Sequence, residues 1–155
     1  MAQPDSAPTV TLRFQGAREA CLDAGLNLSD VCVCHADPTD ADALATLLRR
    51  APAPDAFLCA NDITAVALMD TLKQLGKRIP HDVRVTGVDD IGLAASAQPP
   101  LTTVRQPYRE IAQSALVTML QRLMNPQTPP RQILLDTSLI IRQSTQRTAL
   151  SRARR

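Results

Sequence analysis

The chain has 155 residues, 45% of them hydrophobic, and a formal net charge of +2. This length and apolar content are sufficient for one folded domain with a hydrophobic core and argue against a disordered chain. Aromatic residues make up only 2% of the sequence, so a surface that stacks single-stranded nucleic acid is not expected.

The first two thirds of the chain alternate between apolar runs with strand spacing and apolar residues with helix spacing. Residues 1–12 form a polar extension or the remnant of a first strand, of which only Val10 and Leu12 are left. The following patterns predict a helix over about 16–24, a strand over 31–34, a helix containing 44–48, a strand over 56–60, a helix over 63–75 and a strand over 83–88. This alternation predicts an α/β fold with a parallel sheet flanked by helices.

The last third of the chain is rich in proline. A short strand is predicted over 101–104, and Pro107 opens a long helix that ends at Asn125. Apolar runs at 133–135 and 139–141 predict one or two further strands. Five arginines, including Arg142, then lie in the last fourteen residues without any acid, and without them the formal charge becomes −3. We interpret this basic segment as a solvated tail, since a dedicated DNA-binding domain places its basic residues on a helix or stripe.

The chain contains four cysteines and no stretch of transmembrane length. The first residues lack the features of a secretory signal, so a cytosolic protein with reduced thiols and no membrane partner is expected. Cys32, Cys34 and His35 could begin a metal site, but no second ligand pair follows at a spacing typical of zinc. We therefore expect buried thiols, no metal and no cofactor.

Two polar pairs follow predicted strands directly: Asn61 with Asp62, and Asp89 with Asp90. In parallel sheets, ligands bind outside the carboxyl ends of the strands, so both pairs are expected at one edge of the sheet. Asp62 stands where a helix N-cap is expected, and for Asp90 a cap and a ligand contact remain equally good interpretations.

An enzyme is the first hypothesis for the acidic pair, because adjacent carboxylates can bind Mg²⁺ for phosphoryl transfer. Aspartate-nucleophile phosphatases need two acids separated by one residue after an early strand, and receiver domains need an acidic pair after their first strand. Neither order is present, and no glycine-rich phosphate loop or GxSxG motif occurs. Carboxylate and amide groups at this edge suit a polyol better, since they accept and donate hydrogen bonds to hydroxyls.

Four motifs in order resemble a known family. The segments are CANDITA at 59–65, GKRIPHDV at 76–83, TGVDD at 86–90 and PLTTVRQP at 100–107. Together they resemble the effector-binding region of the LacI/GalR family of bacterial transcriptional regulators, from about Arg13 to Ser144. The resemblance implies the type I fold of periplasmic binding proteins, in which two α/β lobes enclose a ligand cleft. Residues 13–144 would supply the second lobe and the segment that returns to the first, with residues 145–155 as a basic tail.

The resemblance also implies a site and partners. The implied ligand contacts are Arg13, Asn61, Asp89, Gln106 and Tyr108. Asp89 would face the ligand while Asp90 supports the loop. Val88 stands where an aromatic residue is commoner, and Ala67 where glycine is usual. The implied partners are a small effector, expected to be a carbohydrate, a second copy in a homodimer, and operator DNA through a headpiece outside the similarity. A stand-alone ligand-binding or dimerising module remains the alternative.

Overall fold

In the computed structural model, residues 8–26, 36–50 and 53–146 are described, and the elements lie within these ranges. In chain order they are α1 (Pro8–Asp23), α2 (Ala41–Leu48), β1 (Ala56–Leu58), α3 (Asp62–Gln74), β2 (Arg84–Asp89), α4 (Gly92–Ser96), β3 (Thr102–Arg105), α5 (Tyr108–Met124) and β4 (Ser138–Ile140). The predicted strand over 31–34 lies outside the described residues. Helix α4 is the element that the sequence patterns missed, because five residues are too few to establish a helical period.

The four strands form one sheet in the order β1-β2-β3-β4. Strand β2 pairs in parallel with β1 and with β3, whereas β4 runs antiparallel to β3. Gly87 lies opposite Thr103, and Asp89 lies opposite Arg105. The predicted α/β fold is therefore confirmed, with a mostly parallel sheet whose strands β1 to β3 end at one edge.

The hydrophobic core lies between one face of this sheet and helices α2, α3 and α4. Its fully buried members include Leu68 and Leu72 of α3, which pack with Val85 and Leu101. The spacing of Ile63, Val66, Ala67, Leu72 and Leu75 predicts one apolar side of α3, of which Leu72 is buried but Ile63 is exposed. The buried apolar face is formed by Ala65, Leu68, Met69 and Leu72, whose spacing also fits a helix.

Helix α1 begins eight residues earlier than predicted. Val10 and Leu12, interpreted as the remnant of a strand, lie within this helix. The residues of α1 that are not exposed are Val10, Arg13, Phe14, Ala17 and Cys21. These positions continue one helical stripe through Gly16, which the prediction took as the start of the helix. Val10 packs against Ala60, so α1 covers part of the sheet face opposite to α3.

Helices α2 and α3 are each capped by the residue that directly precedes them. Asp40 caps α2 by accepting a hydrogen bond from the Ala43 amide at 2.9 Å. Asp62 was expected to cap α3, but Asn61 does so by accepting from the Thr64 amide at 2.8 Å. The predicted cap at Asp62 is therefore wrong, and its carboxylate has other partners.

Helix α5 forms where the sequence predicted it, but none of its residues is buried. Its exposed apolar side chains include Leu116, Met119, Leu120, Leu123 and Met124. Of the two apolar runs that follow, only the second forms a strand, β4. No helix in the described part of the chain is both long and apolar enough to cross a membrane.

Candidate functional site

The candidate site lies where strands β1, β2 and β3 end. Asn61 follows β1 and Ala60, Asp89 is the last residue of β2, and Gln106 follows β3 directly. Arg13 reaches this edge from α1 by donating a hydrogen bond from Nη1 to the carbonyl oxygen of Ala60 at 2.6 Å. Parallel pairing thus brings together residues that are far apart in the sequence.

Asp89 is at the centre of this cluster. Its Oδ1 accepts hydrogen bonds from Nε2 of Gln106 at 2.5 Å and from Nη2 of Arg13 at 3.5 Å. The side chains of Arg13 and Asp89 are 32% and 23% exposed, so both remain accessible to a small molecule. Arg13 and Asp89 carry opposite charges, so the pair they form has no net charge.

Tyr108, the first residue of α5, also belongs to the cluster. Partial burial, the nearby carboxylates of Asp89 and Asp62 and a hydrogen bond with Asp89 all raise the pKa of its hydroxyl. The phenol therefore stays protonated near neutral pH and can donate a hydrogen bond. The structure thus places Arg13, Gln106 and Tyr108 around Asp89. The half-buried Asn61 follows Ala60, whose carbonyl accepts a hydrogen bond from Arg13.

Asp90 has a different environment from its neighbour. Its side chain is only 7% exposed and accepts hydrogen bonds from Nε of Arg105 and Nη2 of Arg142, each at 2.6 Å. Burial alone would raise the pKa of Asp90, but the two guanidinium groups outweigh it and hold the pKa below its usual value. The support of the loop that the family resemblance implies for Asp90 agrees with this geometry. Arg142 was predicted to belong to the solvated tail, but its side chain is largely buried and also donates to the Leu101 carbonyl at 2.9 Å.

The backbone of the acidic pair is strained. Asp89 has a φ of 121° and Asp90 a φ of 57°, a region that side chains other than glycine rarely adopt. Such residues cost about 1–3 kcal/mol each and persist only where surrounding contacts fix them. The two ion pairs of Asp90 are one such set of contacts.

Asp62 is a site residue whose role was not predicted from the sequence. Its carboxylate is buried and accepts hydrogen bonds from Oγ1 of Thr103 at 2.5 Å and from the amide of Ile91 at 3.0 Å. Burial raises the pKa of Asp62, and these hydrogen bonds offset only part of that effect. No local pattern could have revealed these contacts, since both partners lie in later elements of the chain.

A cavity of about 620 Å³ lies beside the cluster, between α1 and the sheet. Its polar lining includes Arg13 and Gln106. Its apolar lining includes Val10, Phe14, Leu58, Val88, Val104 and Leu139. A ligand at this edge of the sheet would therefore meet polar groups on one side and apolar side chains on the other.

The cysteines give no sign of a metal centre in the part of the chain that the structure describes. Cys59 is buried, and desolvation raises the pKa of its thiol to about 12, so it is an inert core residue as predicted. Cys21 is half-buried. Among the described residues no group of three or more His, Cys, Asp or Glu could hold a metal ion, while Cys32, Cys34 and His35 lie outside them.

Parallel strands that end in a polar cluster, beside an apolar cavity, define an α/β lobe of the kind that binds small molecules. The family model described as periplasmic binding protein-like domain matches residues 1–145. The chain belongs to this family, and its sequence and fold match part of the effector-binding domain of LacI-type transcriptional regulators.

The relatives are regulators rather than enzymes, which agrees with the prediction. The HTH-type transcriptional regulator CelR of Thermobifida fusca is 35% identical over 147 residues, which are 93% of this chain and 43% of the relative. The structure of a CelR–cellobiose complex aligns with a TM-score of 0.79 at 33% identity, covering 93% of this chain and 45% of the other. The lac repressor dimer bound to operator and the anti-inducer ONPF aligns with a TM-score of 0.78 at 28% identity, covering 93% and 44%. The chain thus spans less than half the length of these relatives.

Proposed function

We propose that this chain is the ligand-sensing part of a LacI/GalR-type regulator and binds a small neutral polyol, such as a carbohydrate. The proposed contacts are Arg13, Asn61, Asp89, Gln106 and Tyr108. The observation that carries the proposal is the convergence of Arg13, Gln106 and Tyr108 on the partly exposed carboxylate of Asp89.

The chemistry of the cluster favours an uncharged ligand with several hydroxyls. Asp89 can accept hydrogen bonds, while Arg13, Gln106 and Tyr108 can donate them, so adjacent hydroxyls would find both kinds of partner. The charges of Arg13 and Asp89 balance each other, so a phosphate group would meet a carboxylate together with the cation. The apolar lining of the cavity suits the C–H face of a sugar ring.

The proposed binding site is one wall of a cleft. Helix α5 exposes its apolar side chains throughout its length, as expected of a segment that packs against a first lobe supplied by another part of a longer protein. In the complete regulator, ligand binding between the lobes would shift the population of two lobe orientations. A DNA-binding headpiece would then gain or lose affinity for its operator, and the regulator would act as a homodimer, as the lac repressor does.

A titration of the isotopically labelled 155-residue chain, followed by NMR, tests this proposal. The probes are cellobiose and ribose as neutral sugars and glucose 6-phosphate as an anionic one. We expect the neutral sugars to shift the amides of Asn61 and Gln106 with a dissociation constant of about 1 mM or weaker, since one wall buries only part of a ligand. The variant Asp89→Ala should lose these shifts.

The matched control is Asp70→Asn, which removes a carboxylate on the exposed side of α3 and should leave the titration unchanged. Shifts that persist in Asp89→Ala, or that no member of the panel produces in the parent chain, would contradict the proposed site. A submillimolar dissociation constant would contradict the proposal that this chain supplies only one wall of the binding cleft.

A further inference from the structure

Asp62 is a fully buried carboxylate that makes no cap for its own helix. Its side chain is 0% exposed, and Asn61 already provides the cap of α3. Burying a carboxylate is unfavourable unless hydrogen bonds compensate for the lost water. The surroundings of Asp62 therefore need an explanation beyond the stability of helix α3.

The two carboxylate oxygens of Asp62 connect three parts of the fold. Oδ1 accepts from the hydroxyl of Thr103 in β3 at 2.5 Å, and Oδ2 accepts from the amide of Ile91 at 3.0 Å, directly after the strained acidic pair. Gly87 of β2 leaves room for this arrangement, because a Cβ at that position would collide with Oδ1 of Asp62. The carboxylate is thus enclosed between α3, the sheet and the turn that follows β2.

The turn formed by Asp89, Asp90 and Ile91 is held on both sides. The ion pairs with Arg105 and Arg142 fix the side chain of Asp90 from the β3 and C-terminal side. On the α3 side, the bond from Ile91 to Asp62 fixes the backbone. A backbone with positive φ at two successive aspartates requires such constraints, since either residue would relax towards negative φ without them.

We infer that Asp62 is a positioning residue, which fixes the backbone of the Asp89–Ile91 turn and so directs the Asp89 carboxylate towards Arg13 and Gln106. Its effect on ligand binding rests on the proposed function, but its effect on the turn does not. Thr103 orients the carboxylate through Oδ1, so that Oδ2 faces the Ile91 amide.

The test is amide hydrogen exchange, measured by NMR on the 155-residue chain. The informative quantity is the protection of the Ile91 amide divided by the protection of the Val85 amide. Val85 lies in β2, inside the sheet, and its amide donates to the Ser144 carbonyl. This ratio cancels any loss of global stability that both amides share. We expect Asp62→Ala to lower it by about tenfold or more, since the amide loses a charged acceptor.

Two variants serve as controls. In Asp62→Asn, Oδ1 can accept from Ile91 while Nδ2 donates to the Thr103 hydroxyl, so the ratio should stay within about threefold of the parent value. Asp70→Asn should leave it unchanged. An equal loss of protection at Ile91 and Val85 in Asp62→Ala would mean a merely structural role and overturn the inference, as would an Ile91 amide that is unprotected in the parent chain.

A second measurement keeps the inference testable if Asp62→Ala does not fold. In the parent chain, the amide shift of Ile91 should follow the titration of the Asp62 carboxyl carbon with the same midpoint, and this response should disappear in Asp62→Asn. An Ile91 shift that ignores the titration of Asp62 would overturn the inference. Neither readout uses a ligand, so a failed sugar titration would reject the proposed function and leave the role of Asp62 to be decided separately.

Discussion

Asp90 is a nearly buried carboxylate whose two ion pairs are expected to stabilise the fold. Because it accepts from both Arg105 and Arg142 while nearly buried, Asp90→Asn should leave two guanidinium groups with a poorer partner. We expect the free energy of unfolding at pH 7 to fall by about 1–3 kcal/mol, measured by urea denaturation. Asp70→Asn, which removes an exposed ion pair, should change it by less than about 0.5 kcal/mol. An equal loss in both variants would contradict this expectation.

The lowered pKa of Asp90 also predicts how the stability of the chain depends on pH. Since the pKa of Asp90 is lowered in the folded state, its contribution to stability is fully present above about pH 4, the usual value for aspartate. That contribution is lost as the pH falls through the lowered pKa. The stability difference between the parent chain and Asp90→Asn should therefore shrink on acidification, as measured by urea denaturation at a series of pH values. A stability difference that stays constant to low pH would show that the ionised Asp90 carboxylate does not stabilise the folded chain.

The packing of strand β2 on helix α3 depends on a glycine. A Cβ at Gly87 would collide with the Asp62 carboxylate and would lie 3.0 Å from the Leu101 side chain. Gly87→Ala should therefore lower the free energy of unfolding by about 1–3 kcal/mol, because neither neighbour can move freely in the core. Gly16→Ala is the matched control, since nothing lies within 4 Å of its added Cβ in α1. Gly16→Ala should stabilise the chain by about 0.5–1 kcal/mol. Equal changes in the free energy of unfolding for the two substitutions would contradict the close packing at Gly87.

At the scale of the whole molecule, packing differs between two helices: in the described part of the chain α3 contributes to the core, whereas α5 has no buried residue. Leu68 of α3 is 0% exposed, whereas Leu123 of α5 is 70% exposed. We expect Leu68→Ala to cost about 2–5 kcal/mol in the free energy of unfolding and Leu123→Ala less than about 0.5 kcal/mol, both measured by urea denaturation. A large loss for Leu123→Ala would show that α5 is covered in solution, and sedimentation velocity would then reveal whether a second copy covers it.

Sequence patterns were reliable for elements whose period is long and regular. Helix α5 and strand β2 lie close to their predicted positions, and so does α3 as an element. The predicted apolar side of α3 was only partly right, since it included the exposed Ile63 as well as the buried Leu72. Apolar character alone does not tell which side of a helix meets the sheet. The start of α1 was wrong because Gly16 was taken as a boundary, although an exposed glycine is tolerated inside a helix.

The sequence by itself determined the succession of strands and helices and the position of the polar residues at strand ends, because both follow from local spacing. Only the tertiary structure decided what each carboxylate does. Asp62 meets partners 29 and 41 residues away, and Asp90 meets Arg142 at a separation of 52 residues. The desolvation and ion pairing that distinguish Asp62, Asp89 and Asp90 arise from these long-range contacts, which the local spacing of residues does not reveal.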